Sequence, residues 1–109
     1  MRWIFTLALI AGCQSSDVSR TLGARCDQSS ECDERCLAAQ GSDWPGGLCT
    51  ISCDDDGDCP GDARCVADEG GVCLFECNAD PDCSFLGTGW GCDQRDGRPS
   101  GQVMVCRGR

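Results

Sequence analysis

Two residue types in this sequence are spaced for chemistry: aspartate and cysteine. The densest acidic run is Asp54-Asp55-Asp56-Gly57-Asp58, with Asp62 four residues on. Carboxylates are hard oxygen ligands, so Asp54, Asp56, Asp58 and Asp62 form a candidate calcium set. The register of a twelve-residue helix–loop–helix calcium loop is not met. With Asp56 in its fifth place, Ser52 falls at the first and Ala63 at the twelfth, where a bidentate Glu is required. Any calcium site here is of another kind. The run Asn78-Ala79-Asp80-Pro81-Asp82 holds fewer ligands. Arg95 and Arg98, in a loop over residues 93–105, are bait candidates if the chain inhibits a protease through a rigid exposed loop. Residues 37–48 form a second such loop.

Other chemistries lack their parts. There is no His, which removes the commonest general base and zinc ligand. No Gly-x-Ser-x-Gly occurs, and no two cysteines are separated by two residues, as thiol–disulfide catalysis wants. The carboxylate pairs lie in turns, without an apolar pocket to part their pKa values. The sequence therefore reads as non-enzymatic and carries no cofactor signature apart from the calcium candidate.

The 13 cysteines among 109 residues mark a disulfide scaffold. Leu, Ile, Val and Phe number only 13 over residues 14–109, too few to offset chain entropy by burial alone. All 18 acidic residues lie beyond residue 13, as do eight of the nine arginines, so that part carries −10. This charge argues against nucleic acid and against adsorption to anionic lipid.

Twelve cysteines divide into three sets: Cys26, Cys32, Cys36, Cys49; Cys53, Cys59, Cys65, Cys73; and Cys77, Cys83, Cys92, Cys106. Each set opens with a five-residue gap, and three residues separate one set from the next. Such regularity marks tandem modules. An acidic residue precedes the second cysteine each time (Glu31, Asp58, Asp82), and Gly46-Gly47-Leu48-Cys49 matches Gly70-Gly71-Val72-Cys73. Three pairings are open within a four-cysteine module. First-to-third with second-to-fourth is favoured, because joining the first two would close only a tiny polar turn.

The elements that must hold these residues are short. Residues 64–67 and 72–75 read as strands joined by a Gly-containing turn. Residues 36–37 pair with 48–49, and 91–93 with 103–106 across a long polar loop. The five-residue gaps read as turns. Trp44, Trp90, Phe75 and Phe85 are assigned to covering sulfurs or module joints, with ligand contact as the alternative. The fold class is small and disulfide-rich: tandem modules of short β-hairpins and turns, with little helix after the N-terminal segment.

That segment has the parts of a secretory signal. Met1-Arg2-Trp3 is a positive start, and residues 4–10 form an apolar run too short for a bilayer, which needs ~20 residues. Ile10-Ala11-Gly12-Cys13 resembles the lipobox of bacterial lipoproteins. The resemblance implies cleavage after residue 12, a diacylglycerol on Cys13 and further acylation of its new N-terminus, a durable membrane anchor. Lipidating Cys13 leaves an even twelve cysteines, which accounts for the odd count. Gln14 follows the anchor rather than Asp, which by the same resemblance implies the outer membrane of the cell envelope. Export to an oxidising compartment also favours disulfides over zinc thiolates. Residues 14–25 read as a mobile polar tether.

The repeat, Cys-x5-Cys, a gap, Cys, a Gly-containing loop and Cys, resembles cysteine-rich repeats of secreted proteins and lipoproteins of myxobacteria. It is also similar to the N-terminal cysteine-rich region of Dickkopf proteins, over residues 26–106. That likeness implies extracellular contact with protein. The expected organisation is a signal peptide at 1–12, a lipid-anchored tether at 13–25, and repeats at 26–52, 53–76 and 77–109. The expected role is an interaction scaffold for protein or glycan at the cell surface.

Overall fold

The computed structural model describes residues 18–109 except 40 and 42. The signal segment and Cys13 lie outside the described residues. Each four-cysteine set builds one antiparallel hairpin: β1 (Arg35–Leu37) with β2 (Leu48–Thr50), β3 (Ala63–Val66) with β4 (Val72–Phe75), and β5 (Trp90–Asp96) with β6 (Gln102–Gly108). A two-stranded hairpin is marginal alone in water. Here each is stapled twice.

The third and fourth cysteines of every set face each other across the hairpin: Cys36 and Cys49, Cys65 and Cys73, Cys92 and Cys106. Directly opposed side chains share one face. The preceding five-residue loop lies on that face and supplies a sulfur to each. The bonds are Cys26–Cys36 and Cys32–Cys49, Cys53–Cys65 and Cys59–Cys73, and Cys77–Cys92 and Cys83–Cys106. This is the favoured first-to-third, second-to-fourth pairing throughout. The five-residue loops carry short 3-10 turns, Ser29–Glu31, Asp56–Asp58 and the longer Asp80–Leu86. Among the described residues no helix is long and apolar enough to cross a membrane.

The segment before each first cysteine belongs to the module that follows. The Cys73 N–H donates to the Ile51 carbonyl at 3.1 Å, and Ser52 bridges Val72. Glu76 bridges Val105 in the same manner. Ahead of the first module, the Gly23 N–H donates to the Cys49 carbonyl and the Cys49 N–H to that of Ala24, each at 2.8 Å. Of residues 14–25, expected as a mobile tether, 22–24 are thus packed, and Leu22 is buried with Cys53, Ala63, Cys65 and Cys73. Gly47 and Gly71 hold positive φ of 79° and 108° where the chain passes the first cysteine of their modules. A Cβ on Gly47 would collide with the carbonyl oxygen of Cys26, and one on Gly71 with that of Cys53.

The third hairpin is longer than the sequence implied. Residues 93–96 and 102 are strand, which reduces the expected loop over 93–105 to a turn at 97–101. Val103 and Val105 face the core while Met104 is exposed, and polar residues line the opposite strand. One-sided alternation of this kind is ordinary for a half-solvated sheet.

One apolar cluster crosses all three modules. Leu37, Trp44 and Leu48 come from the first, Val66, Val72 and Leu74 from the second, and Leu86, Trp90, Val103 and Val105 from the third. The backbone ties them further. The Ala67 N–H donates to Asp96 and the Arg98 N–H to Cys65, joining the second and third modules. The Gly108 N–H donates to Asp43, joining the third to the first.

Candidate functional site

The acidic residues follow a rule that repeats with the cysteines. The carboxylate before each second cysteine turns back to accept two backbone N–H groups. Glu31 accepts from Asp27 at 2.6 Å and Gln28 at 3.4 Å. Asp58 accepts from Asp54 at 2.9 Å and Asp55 at 3.4 Å. Asp82 accepts from Asn78 at 2.8 Å and Ala79 at 3.1 Å. These are orphan donors at the start of a short helical turn, and an acceptor there is stabilising. A second side chain, three places after each first cysteine, accepts the N–H of the third. Ser29 receives Cys36 at 3.2 Å, Asp56 receives Cys65 at 2.8 Å, and Asp80 receives Cys92 at 2.8 Å.

The four calcium candidates are therefore not gathered around one point. Asp56 directs one oxygen to the Cys65 N–H and the other to Arg64 Nε at 2.9 Å. Asp58 directs an oxygen to its own turn, while Asp54 and Asp62 are exposed. Among the described residues, the only trios of possible ligand atoms within 4.8 Å of one another are cysteine sulfurs from neighbouring disulfides. The Cys65 N–H holds the Asp56 carboxyl below its ordinary value; partial burial opposes this and Arg64 adds to it. Arg64 also pairs with Glu76 at 2.8 Å, and the two carboxylates raise its own pKa. In the third module Arg109 does similar work: it lies over Gly91, donates to the Cys92 carbonyl at 3.1 Å and pairs with Asp80 at 3.5 Å.

The two bait candidates are engaged by the second module. Arg98 donates to the Gly70 carbonyl at 2.6 Å. Arg95 pairs with Asp68 at 3.2 Å. Neither stands on a long free loop, because β5 and β6 occupy most of residues 93–105. Asp68, whose side chain is 8% exposed, also meets Arg107 Nε at 2.9 Å, an electrostatic contact without the alignment of a hydrogen bond. Arg107 reaches Asp43 at 3.8 Å and lies 4.8 Å over the Trp44 ring. One cation thus touches all three modules. Asp68 and Arg107 carried no signal in the sequence, since their partners lie far along the chain.

The aromatics divide into two pairs. Trp44 and Trp90 are buried at the joint of the first and third modules, with centroids 6.4 Å apart, and the Trp90 N–H donates to the Pro45 carbonyl at 3.1 Å. Phe75 and Phe85 meet edge to face at 5.0 Å, and Phe85 is 48% exposed. Their rings line a cavity of about 570 Å³ where residues 19–22 meet the second and third modules. A polar recess of about 510 Å³ opens over Asp68 and Arg95. No protein-family model, no curated protein and no solved structure matches this chain.

Proposed function

We propose that the chain is a non-enzymatic lipoprotein of the bacterial cell envelope, anchored through lipid on Cys13 and displaying a disulfide-stapled scaffold for contact with protein or glycan. The observation that carries this reading is the closure of all twelve cysteines from Cys26 onward on one another. None of them is needed by Cys13, whose place after Ile10-Ala11-Gly12 suits acylation. A six-disulfide fold also suits an oxidising compartment. The outer membrane is the proposed destination, from Gln14 beside the anchor.

Intact mass of the protein from its native membrane, before and after reduction and alkylation, tests the proposal. The expected product lacks residues 1–12, carries acyl groups and takes alkyl label on twelve cysteines only after reduction. An unprocessed chain with unmodified Cys13 would overturn it.

A further inference from the structure

The cavity at the joint of residues 19–22 with the second and third modules differs from the rest of the surface. Its floor is apolar: Leu22 is buried, Phe75 is half-buried, and Phe85 presents nearly half of its surface beside them. Its polar rim includes Asp62, Glu76 and Asp82, and none of the residues lining it is basic. Arg64 neutralises Glu76 through one oxygen, and Asp82 has one oxygen on its turn. Asp62 is exposed and makes no ion pair among the described residues. The fixed charge at the mouth is therefore negative.

We propose that this cavity receives an arginine or lysine side chain of a basic segment on a partner protein. The proposal rests on the scaffold reading above and names where and what the scaffold binds. The match is chemical. A basic side chain has an apolar stem and a charged head. The stem would lie on Leu22 and Phe75, and the head would reach Asp62 and the open face of Phe85. An aromatic face attracts a cation more strongly as water is excluded. Pockets that join apolar walls to a few polar groups are the usual form of a specific site, and module joints are where they occur.

The test uses the full disulfide-bonded protein, purified as its host makes it and labelled with nitrogen-15. The peptide acetyl-Gly-Phe-Arg-Leu-Gly-amide is titrated to millimolar concentration while backbone amide signals are followed. Saturable shifts at Leu22, Asp62, Phe75, Glu76 and Phe85 are expected, with loss of most of the response when Gln replaces Arg in the peptide. Phe85→Ala and Asp62→Asn, both at exposed side chains, should each weaken binding several-fold. Asp54→Asn, on an acidic turn away from the cavity, should leave it unchanged.

Three results would overturn the proposal: no shifts at these residues, equal weakening by Asp54→Asn and Asp62→Asn, or binding of phosphocholine vesicles in place of the peptide. Silence toward the peptide in a protein whose acylation and disulfides are confirmed by mass would remove this cavity and leave the anchored scaffold standing. A failed mass test would instead remove the anchor while the amide shifts still report on the cavity.

Discussion

At the scale of single residues, acidic side chains here act chiefly on the backbone. Asp56 is the clearest case, since both its oxygens are engaged and its carboxyl is held below its ordinary value of 3.8. The folded carboxyl therefore releases its proton at lower pH than the unfolded one. Its contribution is present above the unfolded value and is lost as pH falls through the folded one. Asp56→Asn should thus reduce stability by about 1 kcal/mol or less at neutral pH and flatten the loss of stability below about pH 4, read by thermal melts across pH. Adding calcium should give no saturable rise in melting temperature, because Asp56 and Asp58 already serve backbone donors. The sequence showed that an acid precedes each second cysteine, but not what it contacts. Aspartate is both a calcium ligand and a turn acceptor, and only the position of Cys65 beside Asp56 separates the two.

At the scale of elements, each hairpin depends on its staples. Replacing Cys59 and Cys73 together by Ser should cost about 3 kcal/mol, from freeing a loop of this length in the unfolded chain, and denaturant titration measures it. Cysteine spacing made the three hairpins legible and favoured the pairing, because joining the first two cysteines of a set would close only a tiny polar turn. The length of β5 and β6 was hidden, since Asp93, Gln94, Arg95 and Asp96 look like a loop until Val103 and Val105 are set opposite them. Residues 18–25 were hidden for a similar reason. Their pairing is by backbone to Cys49, which no side-chain pattern records, and Leu22, between Thr21 and Gly23, belongs to no apolar run or alternation.

At the scale of the molecule, the three modules share one apolar cluster. Trp44 and Trp90 are buried together, and Arg107 contacts Asp68 and Asp43. Trp90→Ala should cost about 3–5 kcal/mol, with the whole chain melting in one transition at a lower temperature. Independent modules would instead melt separately, with the second module unaffected by the change.

The contact of each first-cysteine loop with the N–H of its third cysteine doubles the closure made by the first disulfide of the module. Asp56 meets Cys65 across nearly the same span that Cys53–Cys65 closes, so hydrogen bond and disulfide hold one loop shut. Every module completes its staples and its turn acceptors by its fourth cysteine, and its second strand ends one or two residues beyond it. A chain emerging N-terminus first can therefore oxidise one module before the next arrives, and mispairing is confined to the two wrong pairings within a set. The contacts of the third module with the first two, among them the tryptophan joint, the Ala67–Asp96 and Arg98–Cys65 backbone bonds and the Arg107 contacts, wait for that module to emerge.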